Sequence, residues 1–107
     1  MIKDLILQNR SRRRFHQEAV IEVETLRELV DLARLSASAA NVQPLKYFLS
    51  CDPEKNGLIF RHIGLAGNPP EGERPSAYII VLGDKEIRQS FGCDHGIAVQ
   101  SIMLGAT

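Results

Sequence analysis

The apolar residues of this chain change their period along its length, and that change limits the folds open to it. Between about Glu24 and Leu35, Leu26, Leu29, Val30 and Ala33 share one helical face, with Arg27, Glu28, Asp31 and Arg34 opposite. That is the pattern of an amphipathic helix. Ser76 to Leu82 is apolar almost throughout, which predicts a strand covered on both faces. Tyr47-Phe48-Leu49-Ser50-Cys51 reads as another strand. At 107 residues the chain has room for one ordinary domain spanning 1–107, with helices and strands mixed.

The remaining segments complete this reading. Ile2, Leu5 and Ile6 have helical spacing and predict a short amphipathic helix over 2–9. Asp52-Pro53 starts a turn or short helix running to about Ile63, with Asp52 at the cap and Pro53 at the first position. Gly64 to Pro75 is rich in glycine and proline and predicts a loop. Asp94 is placed as the cap of a last helix, in which Ile97, Ala98, Val99, Ile102, Met103, Leu104 and Ala106 leave little polar face, so that helix is expected to be buried. The chain stops at Thr107 within that pattern with no glycine or proline stop, so the expectation is that it is a fragment or that the natural polypeptide continues.

Composition excludes several classes. The formal net charge is zero, which argues against a protein devoted to coating nucleic acid. No apolar run is long enough to cross a bilayer. Asp4 stands where a signal peptide requires positive charge. Cys51 and Cys93 fit reduced thiols, and together these features predict a cytoplasmic protein that is not attached to a membrane. Cys93-Asp94-His95 are consecutive and cannot converge on one ion from one element, so no metal site is expected. His16 and His62 are isolated.

Charge is nevertheless unevenly distributed. Asn9-Arg10-Ser11-Arg12-Arg13-Arg14-Phe15 packs four arginines and a hydroxyl behind the first apolar segment, a local positive field suited to one phosphate. Cations there also complement the end of the first helix, and an arginine run is often a solvated face or a nucleic-acid patch. Farther along, Ser38-Ala39-Ala40-Asn41-Val42-Gln43-Pro44 is a small-residue turn carrying two side-chain amides, with Pro44 expected to hold Gln43 extended. Taken alone, it is an ordinary helix end with Asn41 left-handed. Together, with an apolar helix between them, the two stretches point to a pocket for an anionic, heteroaromatic cofactor.

These stretches carry a resemblance. The first is similar to the opening arginine-serine-x-arginine motif of the nitroreductase family, and the second resembles that family's serine-x-x-asparagine-x-glutamine-proline turn. Glu73-Arg74-Pro75-Ser76-Ala77-Tyr78-Ile79-Ile80-Val81 looks like a strand entry of one subgroup. Asp94-His95-Gly96-Ile97-Ala98-Val99-Gln100-Ser101-Ile102-Met103-Leu104 resembles the central helix. The chain departs from the family pattern at Asn9, where many members carry arginine, and at Leu45, where tryptophan is common. It also has a shorter loop around Gly67-Asn68-Pro69-Pro70 and contains no tryptophan.

The resemblance implies an α+β, three-layer nitroreductase-like fold with a central, mainly antiparallel sheet flanked by helices, incomplete at its C-terminus. It implies FMN as cofactor, NADH or NADPH as reductant and a nitro, quinone or related small-molecule acceptor. It further implies a homodimer with the flavin site at the subunit interface. Arg10, Ser11 and Arg13 would contact the phosphate, with Arg12 and Arg14 peripheral. Ser38 and Ala39 would let the backbone approach the ring, and the amides of Asn41 and Gln43 would read its pyrimidine edge. The flavin carries the redox chemistry, so no catalytic acid or base is assigned. Gly96 and Gly105 would reflect close helix packing, across a dimer axis among other arrangements. Two alternatives stand beside this: a truncated, non-catalytic homologue that keeps the dimer scaffold, and an anion- or nucleic-acid-binding module using Arg10 to Arg14, whose binding would fall steeply with salt.

Overall fold

The computed structural model describes every residue except Ala66, which falls within the expected 64–75 loop. Helix α1 spans Ile2–Gln8, α2 Val23–Arg34, α3 Pro53–Ile63 and α4 Asp94–Ala106, with a 3₁₀ turn at Ala39–Asn41. Strands β1, Leu45–Ser50, and β2, Tyr78–Gly83, pair antiparallel from Leu45 opposite Gly83 to Ser50 opposite Tyr78. The fold is α+β, with α3 inserted between the two strands. Both strands lie within two residues of their expected positions.

Local signals account for the elements. Asp52 accepts a hydrogen bond from the Lys55 N–H at 2.9 Å, with Pro53 in the first turn, and Gly64 closes α3 in the left-handed region at φ 57°. Helix α2 buries Leu26 and Ala33 and packs against α4 and β1. The ion pair of Lys46 with Asp84 at 3.0 Å, together with the Asp84 N–H donated to the Pro44 carbonyl at 2.8 Å, pins the start of β1 to the end of β2. The Lys46 hydrogen bond, then the Glu86 N–H, hold the Asp84 carboxyl below the usual carboxylate range.

Two expectations about burial are corrected. Helix α4 buries only Asp94 and Ala98, while Ile97, Val99 and Met103 are each more than a third exposed. The physical reason is that α2 covers a single face of it. Strand β2 is half-buried from Tyr78 to Val81 and exposed at Leu82 and Gly83, so it is not fully covered on both faces. Helix α1 buries nothing; Ile2, Leu5, Ile6 and Leu7 are all exposed. The close approach expected at Gly105 is found within the chain, where an added Cβ would collide with the Leu32 side chain of α2. At Gly96 the same addition meets only open space.

A buried polar tie joins α3 to the end of β1 and to the segment that leads into β2. The Ser50 hydroxyl donates to Asn56 Oδ1 at 2.7 Å, and Asn56 Nδ2 donates to the Ser76 carbonyl at 2.8 Å. Ser50 and Asn56 are 2% and 8% exposed. Asn56→Ala strands a buried hydroxyl and a carbonyl, so it should lower unfolding stability by about 1–3 kcal/mol. Urea denaturation checks this, and a midpoint equal to wild type would remove the tie from any account of stability.

Candidate functional site

The arginine stretch begins where α1 stops. Asn9 leaves the helix in extended conformation, its N–H still bonded to the Leu5 carbonyl at 2.9 Å. Arg10 folds back, its Nη1 donating to the carbonyls of Asn9 at 3.0 Å and Ile6 at 3.4 Å, so its cation sits on the negative end of the helix. Arg10, Ser11, Arg12 and Phe15 line an open cleft of about 870 Å³ whose other wall is the end of α4, at Met103 and Ala106. Arg13 is exposed and does not line this cleft, whereas Arg12 does. Arg14 is committed elsewhere: it pairs with Glu73 at 3.6 Å and donates to the Gly67 carbonyl at 3.3 Å.

The next residues run beside the 67–74 segment. The Phe15 N–H donates to the Glu73 carbonyl at 2.9 Å, and Gln17 Oε1 accepts from the N–H groups of Gly72 at 2.6 Å and Arg74 at 3.2 Å. Gln17 is therefore a clasp between segments some 55 residues apart, which no local pattern announces. Arg74 lies over the Phe60 ring at 4.3 Å from its centroid. A second cavity of about 370 Å³ opens between this clasp and α3, and Cys51 faces it. Burial, then the charges of Glu22 and Glu24, push the Cys51 thiol up, which keeps it protonated and a poor nucleophile.

The amide turn is built against the opposite end of α4. Ala40, Asn41 and Gln43 have φ of 53°, 54° and 54°. Three non-glycine residues in the left-handed region within four positions store strain of order 1 kcal/mol or more each. This corrects the expectation of an extended Gln43. Its N–H turns inward to donate to Ser38 Oγ at 3.0 Å, and the buried Pro44 follows. Gln43 Nε2 donates to Asn41 Oδ1 at 2.6 Å. That leaves the Asn41 side-chain NH₂ as a donor and the Gln43 side-chain oxygen as an acceptor without a hydrogen bond among the described residues.

Asp94 is also corrected. Cys93 takes the cap position of α4 and Asp94 is the first helical residue. Its carboxylate accepts the Ser38 hydroxyl at 2.7 Å and the Ala39 N–H at 3.0 Å, while Arg88 donates to the Ala39 carbonyl at 3.3 Å. The Ser38 hydroxyl, then the Ala39 N–H, hold the Asp94 carboxyl below its usual range. The only sequence signals for this second role are an acid at a helix start and a serine–alanine turn far away in the chain, and nothing local connects them.

The structure thus places Arg10 and Ser11 in one cleft, and Ser38, Ala39, Asn41 and Gln43 in one turn. The two groups abut opposite ends of α4, with about 14 Å of helix axis between Asp94 and Met103. Among the described residues, no three His, Cys, Asp or Glu side chains gather as a metal site, and no helix is long and apolar enough to cross a membrane.

Similarity to known proteins falls along the same residues. Residues 6–66 match the model of the nitroreductase family. No curated protein matches by sequence. Among solved structures, a candidate NADH dehydrogenase/NAD(P)H nitroreductase from Parabacteroides distasonis superposes with a TM-score of 0.81 at 19% identity, covering 98% of this chain. A candidate nitroreductase from Desulfovibrio desulfuricans, solved in complex with FMN, gives 0.78 at 25% identity and 98% coverage. A candidate NADH oxidase from Clostridium acetobutylicum gives 0.77 at 24% and 96%. The chain spans 61% of the length of each of these three.

Proposed function

The chain belongs to the nitroreductase family, and on that premise we propose that it is an FMN-dependent oxidoreductase. The observation that carries this reading is the cleft in which Arg10, Ser11 and Arg12 converge. Two guanidiniums and a hydroxyl suit a phosphate through charge-assisted, bidentate hydrogen bonds. Arg13 keeps a contact by motif position from the exposed stretch beside the cleft. The Asn41 donor and Gln43 acceptor complement the alternating edge of a pyrimidine ring, and Ser38 and Ala39 bring backbone close to it. These residues fit FMN. When bound, FMN would take a hydride from NADH or NADPH and pass electrons to a nitro, quinone or related acceptor. The chain's own residues bind and orient; none is assigned as acid or base.

A second copy of the chain fits this reading. With the arginine cleft and the amide turn at opposite ends of α4, a flavin held between two copies could meet the cleft of one and the turn of the other. The exposed Ile2, Leu5, Ile6 and Leu7 of α1 supply apolar surface for such a contact. The nucleic-acid reading of the arginine run is weakened, because Arg10 folds onto its own helix and Arg14 pairs with Glu73.

The test is the visible absorption of the purified protein supplied with FMN, before and after anaerobic addition of NADH or NADPH. A protein-bound flavin band that bleaches is the expected result. A protein that stays colourless with FMN present would overturn the flavoenzyme reading and leave the non-catalytic scaffold.

A further inference from the structure

We infer that Asp94 is a positioning residue for the amide turn, acting through Ser38 on the backbone of Gln43; this rests on the flavin reading above. The turn holds three non-glycine residues at positive φ, a shape the local sequence does not favour and the surroundings must impose. The imposing group is the Asp94 carboxylate, in a residue only 4% exposed. One oxygen receives the Ala39 N–H at 3.0 Å and the other the Ser38 hydroxyl at 2.7 Å. Having donated its proton, Ser38 Oγ is free to accept the Gln43 N–H at 3.0 Å. The direction of each bond is set by the charge at one end, because an ionised carboxylate can only accept. Asp94 never reaches the donor and acceptor pair itself. It fixes the backbone from which Asn41 and Gln43 project, and it does so from α4, the helix whose other end walls the arginine cleft.

Asp94→Asn reverses the polarity of this relay. The amide oxygen can still take the Ala39 N–H, but its NH₂ then faces Ser38, whose proton loses its acceptor. Because the turn serves the ring end of the ligand, Asp94→Asn should raise the Kd for FMN and for riboflavin by the same factor, about tenfold, and shift the visible band of the bound flavin. A residue that acted only through global stability would leave both Kd values unchanged well below the unfolding temperature. Ser38→Ala should produce the same equal loss, and the double variant should be little worse than either single one, since both break one relay.

Titrations with FMN and riboflavin, followed by flavin fluorescence, read all of this. If Asp94→Asn does not fold, Ser38→Ala alone decides by the same equal loss. Wild-type affinity for both flavins in the variants, a loss confined to FMN, or additive losses in the double variant would overturn the inference while leaving the flavin reading in place. A wild-type protein that binds neither flavin would overturn both.

Discussion

Replacing Arg10 by alanine is expected to raise the Kd for FMN about 10- to 100-fold, the range that the loss of hydrogen bonds to a charged group predicts, and to leave riboflavin binding unchanged. Arg10 lines the cleft with Nη1 on the carbonyls that end α1. A phosphate arriving there meets a cation already held in place, so little side-chain entropy is lost on binding. Riboflavin has no phosphate and therefore provides the internal control. The effect should shrink as salt is raised, since the cleft is open and its charges are screened over about 10 Å at 0.1 M ionic strength. Paired titrations of both ligands at two salt concentrations check the result. Equal losses for FMN and riboflavin would place Arg10 in the scaffold and move the phosphate away from this cleft.

The second large effect is on stability. Leu26 is 4% exposed and is buried in α2 together with Ala33. Truncating Leu26 to alanine should cost about 2–5 kcal/mol, a large part of the roughly 5–15 kcal/mol available to a typical domain. Helix α2 packs against both α4 and β1, so a void at Leu26 weakens the seating of the element that both of them rest on. Leu7→Ala in α1, where the side chain is about half exposed, should change stability by less than about 0.5 kcal/mol. Urea unfolding of the two variants side by side separates these cases. A small loss at Leu26 would mean that this buried side chain does not anchor α2 in the core.

Much of this protein is legible in its amino-acid sequence. The face of Leu26, Leu29, Val30 and Ala33 locates α2, Asp52-Pro53 locates the start of α3, and the apolar run ending at Leu82 locates β2. The motifs also name the residues that line the cleft and form the turn, with Arg12 exchanged for Arg13 at the cleft wall. The extent of burial is less legible. The apolar residues of α4 predict a helix enclosed on all sides, but periodicity reports which residues could be covered and not which neighbours are there to cover them.

What the sequence by itself determined is the set of helices and strands, their order, and the chemistry offered by the arginines and amides. Those depend on partners within a few positions, as capping, helical spacing and strand patterning do. Only the tertiary structure decided that Gln43 turns left-handed, that Gln17 clasps the 71–74 segment, and that Asp94, in the first turn of α4, holds Ser38, 56 residues away. Those choices follow from hydrogen bonds between groups that meet only after the chain has folded back on itself. A buried carboxylate takes whichever donors surround it there, and no local pattern in the chain records which they are.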